Sequence, residues 1–373
     1  RSTQIRSSAA SDVYKRQVLG TRGIPDVAGG VETHCERLYP RLASMGMDVT
    51  VVRRRCYVSP RNEYRGVRLI DVYAPRIKSL EAMCHTLLGV FKAGIDRADV
   101  VHLHAVGPSL LAPLARLLGM KVVVTNHGHD YEREKWGRVA KAVLRMGERV
   151  GVRFANEVIA ISQPIADVLE SKYGRGDVTV IPNGVEPACV TEGDDYLKSI
   201  GVERGRYVLA VGRLVKEKGL HDLIMAFGKI RTKGFRLVIA GDADHRDDYS
   251  DELKAMAVEA GVVMPGYISG EPLQQLMSHS ALFVLPSYHE GLPIALLEAM
   301  SYGLDVAVSD IRANRLSELD GSDFFKRGDC DDLARLIDTK LRVAPRRRCY
   351  DMSRYDWDAI AARTAEVYGH LSR

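Results

Sequence analysis

Short apolar runs alternate with longer stretches of mixed apolar and polar residues along most of this chain. The intervening stretches carry apolar residues at helical spacing, for example over 30–45, 80–94, 108–118 and 132–154. Nearly continuous apolar runs are typical of strands covered on both faces, so the alternation predicts an α/β protein with parallel sheets built from βαβ crossovers. The ten runs are DVTVV (48–52), VRLIDV (67–72), DVVHLH (99–104), KVVVTNH (121–127), EVIAIS (157–162), VTVIP (178–182), YVLAVG (207–212), RLVIAGD (236–242), ALFVLP (281–286) and DVAVSD (305–310).

The alternation occurs in two series, which change over around PNGVEPACVTEGDD (182–195). A chain of 373 residues is long for one core, and the repeat predicts two domains. The opening RSTQIRSSAASDVYKRQ (1–17) has neither an apolar segment nor a periodic pattern. We interpret it as a leader, either foreign sequence joined to a gene fragment or a disordered native tail.

Composition excludes several classes of protein. The chain is 46% hydrophobic and 27% charged, unlike disordered or membrane-embedded proteins, and no run approaches the 18 apolar residues of a membrane span. Its six scattered cysteines form no CxxC pair, which is typical of reduced thiols in a cytosolic protein. Up to Pro182 there are 28 Lys and Arg against 18 Asp and Glu, and beyond it 25 against 30. A basic first half indicates that only this half meets an anionic surface.

Ligands of open parallel sheets bind at the carboxyl ends of the strands, so two facing sheets predict a cleft lined by strand-to-helix loops. The first such loop is GTRGIPDVAGGVET (20–33), in which Gly29 and Gly30 immediately precede a predicted helix. Free backbone N–H groups at that helix start suit a phosphate. A plain turn, in which glycine only supplies a positive φ, explains the same residues.

The second loop is TNHGHDYEREKW (125–136), and it places His127 at the end of a strand. His102 and His104 end the neighbouring strand, so with His129 four histidines could cluster. Zinc is conceivable, but the close spacings of metal sites are absent, and we expect no metal. A strand-end histidine is usually just hydrogen-bonded. Beside phosphate-binding loops, His127 becomes a candidate polar contact to a substrate.

The third loop is VGRLVKEKGL (211–220), which brings Arg213 and Lys218 close to a helix that begins around Gly219. Two fixed cations and free amides can neutralise a diphosphate without a metal. Ordinary surface charge is the alternative explanation of these two side chains.

The fourth loop, YHEGLPIALLEAM (288–300), carries two acids, Glu290 and Glu298, in an otherwise apolar segment. Pro293 is well placed as the first helical residue, because its missing N–H costs nothing there, and we predict the helix that follows it over 294–301. The amides of Gly291 and Leu292 then face the cleft. Because a carboxylate can accept two hydrogen bonds from vicinal hydroxyls, one glutamate could hold a transferred sugar and the other a ribose, with the phosphates between them.

These motifs together resemble those of the retaining glycosyltransferases of family 4. The residues that carry the resemblance are EGLPIALLEA (290–299), GRLVKEKG (212–219), IPNGVE (181–186), NHG (126–128) and SDIRAN (309–314). The start GTRGIPDVAGGVET is similar to a bacterial subgroup of polysaccharide and O-antigen sugar transferases. The resemblance covers residues 18–373.

The resemblance implies the GT-B fold, in which two Rossmann-like domains face each other across a cleft. We expect the first, acceptor-binding domain at 18–185 and the second, nucleotide-sugar-binding domain at 186–354. The last residues, 355–373, would form a helix from about Trp357 that returns to the first domain.

The resemblance also implies roles for particular residues. Glu290 would contact the hydroxyls of the donor sugar and Glu298 the ribose, while Arg213 and Lys218 would bind the diphosphate. His127 would meet the transferred sugar or the acceptor. The remaining expected donor contacts are Gly29 and Gly30 in the first loop, Gly291, Leu292 and Pro293 in the fourth, and the base-reading stretch 265–268 with Tyr267 and Ile268.

The expected reaction moves a sugar from a UDP- or GDP-linked donor to a hydroxyl of a lipid-linked or polysaccharide glycan, with retention, without a cofactor and without a nucleic acid partner. A cytoplasmic enzyme at the inner face of the plasma membrane fits the basic stripe Arg138, Lys141, Arg145 and Arg149, opposite several apolar residues of one helix, and the segment 78–95. A solvated helix face explains the stripe equally well. The competing functions are a sugar-nucleotide-binding module without turnover and a GT-B epimerase or phosphorylase.

Two segments depart from the family pattern. The first strand, usually a full apolar run, is replaced by YKRQVL (14–19), which predicts weaker packing at the centre of the sheet. The segment DGSDFF (320–325) is shorter and more polar than the family pattern, with no evident physical consequence.

Overall fold

The structure is a computed structural model that describes residues 14–27, 29–75, 77, 80–132, 136–243, 246–343 and 347–371. The chain divides into two compact units. The first contains Arg1–Tyr131, Trp136–Ile181 and Asp358–Arg373, and the second contains Glu132–Lys135 and Pro182–Trp357. Most of the expected leader, residues 1–13, lies outside the described residues.

The first unit is built on one sheet, in which the described residues form eight strands in the order β3-β4-β2-β1-β5-β6-β7-β8. All neighbouring pairs are parallel except β3 and β4, which form a short antiparallel edge. The strands are β1 (Lys15–Leu19), β2 (Asp48–Arg54), β3 (Glu63–Tyr64), β4 (Val67–Val72), β5 (Val100–His104), β6 (Lys121–Asn126), β7 (Glu157–Ala160) and β8 (Val178–Val180).

Helices cover this sheet, as parallel strands with buried faces require. The last of them belongs to the first unit from Asp358 onward, although it follows the whole second unit in the chain. Their bounds are α1 (Gly30–Ser44), α2 (Glu81–Ile95), α3 (Ala112–Leu117), which follows a 3₁₀ turn at Pro108–Leu111, α4 (Arg138–Phe154), α5 (Gln163–Tyr173) and, at the end of the chain, α12 (Trp357–His370).

Strand β1 is central although it is polar. It pairs with β2 on one side and β5 on the other, so Lys15–Gln17, which the sequence assigned to the leader, are part of the sheet. Gln17 Nε2 donates to Asp96 Oδ2 at 2.8 Å, and the Arg16 guanidinium lies 5.1 Å from the Tyr368 ring centroid. Arg16 Nε and Gln17 Oε1 are buried and have no partner among the described residues. Such groups cost free energy, so this strand contributes less stability than an apolar one.

The second unit is built on a fully parallel sheet, which in the described residues has the strand order β11-β10-β9-β12-β13-β14. Two clusters of buried apolar side chains cover its two faces. The strands are β9 (Tyr207–Val211), β10 (Arg236–Ala240), β11 (Val263–Gly266), β12 (Leu282–Leu285), β13 (Val306–Ser309) and β14 (Phe324–Phe325). The helices are α6 (Asp195–Ser199), α7 (Leu220–Lys229), α8 (Asp248–Glu259), α9 (Glu271–His279), α10 (Ile294–Ser301) and α11 (Cys330–Leu341), with 3₁₀ turns at Lys216–Lys218, Arg312–Asn314, Gly321–Asp323 and Ser353–Tyr355.

All ten apolar runs contain strands, and the second unit begins at Pro182, four residues before the expected start at 186. The strands β3, β11 and β14 are additional to the prediction. Helix α4 begins at Arg138, whereas the sequence predicted a helix from 132. Residues 133–135 of that predicted helix lie outside the described residues. None of the described helices has the length and apolar character needed to cross a membrane.

Helix α4 approaches the backbone beside the 3₁₀ turn through two glycines. A Cβ on Gly147 would lie 2.2 Å from the carbonyl oxygen of Val106, and one on Gly151 would lie 2.5 Å from Ser109 Cβ. The first contact is with backbone, which cannot rotate away as a side chain can. The packing of α4 therefore depends on these glycines.

We predict that Gly147→Ala lowers the free energy of unfolding by about 1–3 kcal/mol, because overpacking outweighs the better helix propensity of alanine. The matched control is Gly228→Ala in α7, where an added Cβ meets nothing within 4 Å. That variant should be stabilised by up to about 1 kcal/mol. Urea denaturation of both variants measures the difference, and equal stability of Gly147→Ala and the parent chain would contradict the packing described.

Candidate functional site

In each unit, two adjacent central strands send their crossovers to opposite sides, and this opens a crevice at their carboxyl ends. In the first unit the pair is β1 and β5, and in the second it is β9 and β12. The first, third and fourth loops singled out from the sequence follow β1, β9 and β12, and the second follows β6, the neighbour of β5 in the sheet. Each unit therefore has one candidate site, which we describe separately.

The third and fourth loops of the second unit are joined backbone to backbone. Tyr288 N donates to the carbonyl oxygen of Glu217 at 2.8 Å. Gly219 has a φ of +62°, and a Cβ there would lie 2.2 Å from the carbonyl oxygen of Pro286. Only glycine permits this approach, so the segment after β9 is fixed against the segment after β12.

Lys218 and Glu290 meet at this junction. Lys218 Nζ lies 2.6 Å from Glu290 Oε1, and Ser287 Oγ donates to the same oxygen at 2.6 Å. The two charged side chains are 18% and 11% exposed. The structure thus brings together one cation and one acid that the sequence had assigned to separate loops.

The other residues of the fourth loop that we expect to contact the donor are close to Glu290 in the sequence. The Leu292 carbonyl oxygen accepts a hydrogen bond from Asn183 Nδ2 at 3.3 Å. Helix α10 begins at Ile294, and the prediction that Pro293 is its first residue was wrong by one position. Pro293 caps the helix with a ψ of 105°, an extended value that places it outside the helical turn. Glu298 is half-buried in α10, and the half-buried Gly291 follows Glu290 directly.

Two further expected groups belong to the same unit. Arg213 is half-buried and follows β9, the strand that also leads into Lys218. Tyr267 and Ile268 follow β11, and the Tyr267 side chain is 67% exposed. Their proposed contacts with a diphosphate and a base stay predictions.

A second polar cluster, which no sequence pattern had indicated, lies at the start of the fourth loop. The Tyr288 hydroxyl donates to Asp222 Oδ2 and lies 3.2 Å from His221 Nε2, while His221 Nδ1 lies 3.0 Å from the Tyr249 hydroxyl. Burial and the bond to Asp222 raise the pKa of Tyr288, so it remains a donor. This cluster fixes the loop that carries Glu290.

In the first unit, the first loop bends back over the end of β5. Gly20 has a φ of +99°, and a Cβ there would lie 2.2 Å from the His104 carbonyl oxygen. Gly29, with a φ of +144°, precedes α1, which begins at Gly30. Glu32 Oε1 accepts from the Arg22 backbone N–H at 3.0 Å and from Arg22 Nε at 3.2 Å. A paired carboxylate therefore lies beside the turn, and phosphate binding at Gly29 and Gly30 stays a prediction.

His127 belongs to a buried polar cluster at the end of β5. Its Nε2 lies 2.8 Å from His104 Nδ1, and the His34 ring contacts it edge-on with the centroids 5.1 Å apart. The Tyr39 hydroxyl contacts His104 Nε2. His34 and Tyr39 come from α1, where a sequence pattern shows only a half-buried helix, so neither was predicted.

His129, which the sequence placed with these histidines, lies elsewhere. Its Nδ1 is 2.7 Å from Glu148 Oε2, and the other carboxylate oxygen accepts from Tyr173 at 2.7 Å and from Lys172 at 3.0 Å. Burial alone would raise the pKa of Glu148, but the hydrogen bonds from His129 and Tyr173 lower it to about 2. His129 therefore lies outside the histidine cluster, because it is one of the hydrogen-bond partners of the buried Glu148 carboxylate of α4.

Three histidines of the cluster are uncharged at neutral pH. Burial, with a smaller contribution from neighbouring histidines, lowers the pKa of His102 and of His127 to about 3, and lowers that of His104 well below its usual value. Nitrogens of His34, His104 and His127 lie within 4.8 Å of one another, close enough to hold a metal ion. Two of these rings are already joined by the hydrogen bond between His104 Nδ1 and His127 Nε2.

The lowered pKa values predict acid destabilisation of the first unit. His102 and His127 have folded pKa values of about 3, and buried His85 about 4, all below the value of about 6.5 in an unfolded chain. The unfolded state therefore takes up more protons as the pH falls from 7 to 5, and stability is lost over that window, by about 1.4 kcal/mol per pH unit for each fully shifted histidine.

Urea denaturation at pH 7, 6 and 5 measures this loss. The comparison variant His85→Leu removes one of these histidines, which lies outside the cluster. This variant should take up fewer protons on unfolding than the parent chain, by up to about one, so its free energy of unfolding should depend less on pH. A free energy of unfolding that is unchanged between pH 7 and 5 would contradict the burial of neutral histidines.

Comparison with known proteins finds one family match for each half of the chain. The family profile "Glycosyltransferase Family 4" matches residues 28–188, and "Glycosyl transferases group 1" matches residues 195–353. An uncharacterized glycosyltransferase of Methanocaldococcus jannaschii is 28% identical over 92% of this chain and 95% of its own length.

Two solved structures share the fold. Sucrose-phosphate synthase from Thermosynechococcus elongatus superposes with a TM-score of 0.81 at 21% identity, over 96% of this chain and 99% of that one. Anabaena Alr3699/HepE in complex with UDP-glucose gives 0.78 at 21% identity, over 95% and 99%. The two profile matches together span most of the chain, and the chain belongs to the glycosyltransferases of the family 4 type with the GT-B fold.

Proposed function

We propose that this glycosyltransferase moves a sugar from a UDP- or GDP-linked donor to a hydroxyl of a lipid-linked or polysaccharide glycan, with retention of configuration and without a metal. The Lys218–Glu290 pair at the carboxyl edge of the second sheet is the observation that carries the proposal. The similarity of the fold to a protein crystallised with UDP-glucose supports a nucleotide-sugar donor.

The pair has the chemistry needed for both ends of the donor. A diphosphate would compete with Glu290 for Lys218, because its charge is larger and its oxygens are stronger acceptors. Glu290 would then accept hydrogen bonds from sugar hydroxyls while keeping the bond from Ser287. Arg213 and the amides around Gly291 would complete the diphosphate contacts, and Glu298 would bind the ribose.

Retention through two displacements would need a carboxylate nucleophile at the anomeric carbon, as in retaining hydrolases. Glu290 is bound to Lys218 and Ser287 and is assigned to the sugar hydroxyls instead. We therefore favour front-face displacement, in which the departing phosphate accepts the proton of the attacking hydroxyl. Lys218 and Arg213 would stabilise the negative charge that develops on the leaving group.

Lys218→Ala should lower turnover roughly 10²–10³-fold while the protein stays folded, because it removes a preorganised cation from the leaving group. Lys229→Ala is the matched control: this lysine of α7 is 50% exposed and pairs with Asp331. Steady-state rates for both variants, with circular dichroism as the folding check, test the role. Near-normal turnover of Lys218→Ala would contradict this role of Lys218.

A screen of UDP, GDP and their sugars by calorimetry, followed by an acceptor assay, tests the activity itself. We expect binding followed by a product whose anomeric configuration, read by proton NMR, matches that of the donor, and turnover that is unchanged by EDTA. Binding without product would favour a nucleotide-sugar-binding module, and inverted product would exclude the proposed mechanism.

We further propose that the first unit contacts an anionic membrane from the cytoplasmic side. The basic stripe was expected opposite the apolar residues of α4, but Val139 and Met146 are themselves 79% and 51% exposed. Helix α3 packs against both α2 and α4, and exposed apolar side chains continue across all three helices. This membrane surface consists of Leu87, Leu88, Phe91, Ile95, Leu117, Leu118, Val139, Val143 and Met146, with Arg138, Arg145 and Arg149 beside it.

Exposed apolar side chains beside arginines suit the interface of an anionic bilayer, where burial of apolar area and charge attraction add. Flotation with phosphatidylserine-containing vesicles should recover the protein at low salt and less at high salt. Val139→Glu should reduce recovery, whereas Val258→Glu, at a second-unit position that is 81% exposed, should not. Recovery that is indifferent to anionic lipid would contradict the contact.

A further inference from the structure

The histidine cluster of the first unit is a continuous chain of hydrogen-bonding groups. His102 Nε2 lies 2.7 Å from Thr125 Oγ1, and its Nδ1 lies 2.6 Å from the Tyr368 hydroxyl and 3.1 Å from the Tyr39 hydroxyl. Tyr39 also contacts His104 Nε2, and the chain ends at His127. Its members come from α1, β5, β6, the loop after β6 and α12, so only the folded unit assembles it.

The chemistry of the groups decides where the protons lie. Burial raises the pKa of Tyr39 and Tyr368, so both keep their hydroxyl protons. A phenol is a strong hydrogen-bond donor, and the unprotonated nitrogen of a neutral imidazole is a strong acceptor. Two hydroxyls face two imidazole nitrogens. The shorter contact of His102 Nδ1 is with Tyr368, and Tyr39 also hydrogen-bonds to Tyr368, so the single Tyr39 proton has two acceptors to choose from, Tyr368 and His104 Nε2. We assign it to His104 Nε2, because an imidazole nitrogen is a stronger acceptor than a phenol oxygen.

The tautomers of the next two rings follow from that assignment. A neutral histidine carries one ring proton, so His104, whose Nε2 accepts from Tyr39, carries it on Nδ1. That N–H is directed at His127 Nε2, 2.8 Å away. His127 accepts there and therefore carries its own proton on Nδ1. This Nδ1–H has no hydrogen-bond partner in the part of the chain that the structure describes.

We propose that Tyr39 and His104 hold His127 as the neutral Nδ1–H tautomer, so that it donates a hydrogen bond to an oxygen of the bound sugar or acceptor and does not act as a base. The contact with substrate rests on the function proposed above, whereas the tautomer does not. Tyr39 and His104 are positioning residues in this scheme. The edge-on His34 ring limits rotation of the His127 ring.

This arrangement agrees with a reaction in which the leaving phosphate takes the acceptor proton. A fixed donor at His127 orients an oxygen atom without competing for that proton. It also distinguishes the cluster from a metal centre, because a metal bound by the nitrogens of His34, His104 and His127 would occupy the lone pair that here accepts from His104.

Long-range proton–nitrogen NMR of protein labelled with ¹⁵N-histidine reads the tautomer directly and needs no substrate. His127, assigned by the signals lost in His127→Gln, should show a pyrrole-type Nδ1 and a pyridine-type Nε2 at pH 7. Tyr39→Phe should shift it to a mixture or to the Nε2–H form. Tyr207→Phe, which removes a buried hydroxyl from the second unit, should leave it unchanged.

An Nε2–H tautomer in the parent protein would overturn the proposal, and so would an Nδ1–H tautomer that persists in Tyr39→Phe. Stoichiometric uptake of Co²⁺ with the absorption bands of histidine ligation would overturn it in favour of a metal centre. With the acceptor assay established, Tyr39→Phe should also lower kcat roughly 10–100-fold, as expected when a group that orients an active-site histidine is lost. If the NMR result holds but kcat is unchanged, the tautomer stands and its role in transfer fails.

Discussion

The structure depends on the way parallel strands must be connected. The connection between two parallel strands packs on one face of the sheet. Because both faces must be covered, there is one point in the sheet at which the connections of two neighbouring strands run in opposite directions. In the first unit that point lies between β1 and β5, and in the second between β9 and β12. Polar side chains gather in the loops that follow these strands, as Lys218 and Glu290 do in the second unit.

The two units handle this polarity in different ways. The second places opposite charges together, with Lys218 and Glu290 neutralising each other at a junction closed by Gly219. The histidine cluster of the first is instead uncharged at His102, His104 and His127, because burial keeps these rings neutral, and hydrogen bonds link them to one another and to Tyr39 and Tyr368. The difference fits the proposed function, in which the second unit would need fixed cations for a diphosphate and the first would need neutral donors and acceptors for hydroxyls.

Periodicity and turn residues were enough to predict the long strands and the helix over 294–301, because buried parallel strands are continuously apolar. They could not predict β3 or β14, two residues long at sheet edges, where pairing geometry decides rather than composition. The loops at strand ends led to Lys218, Glu290 and His127. Tyr368 lies 266 residues from its partner His102, so no local pattern connects them. His129 was misplaced because Glu148, the acid that binds it, lies on a helix whose buried face was not resolved by pattern alone.

The position of α12 has a consequence for synthesis of the protein. Tyr368 contacts His102 in the interior of the first unit, Arg41 pairs with Asp358, and Arg363 donates to the Val180 carbonyl oxygen. The sheet of the first unit thus lacks part of its polar interior until α12, which follows the second unit, has left the ribosome. The second unit, although made later, has all of its described strands and helices before that moment, so the unit whose translation begins first is completed last.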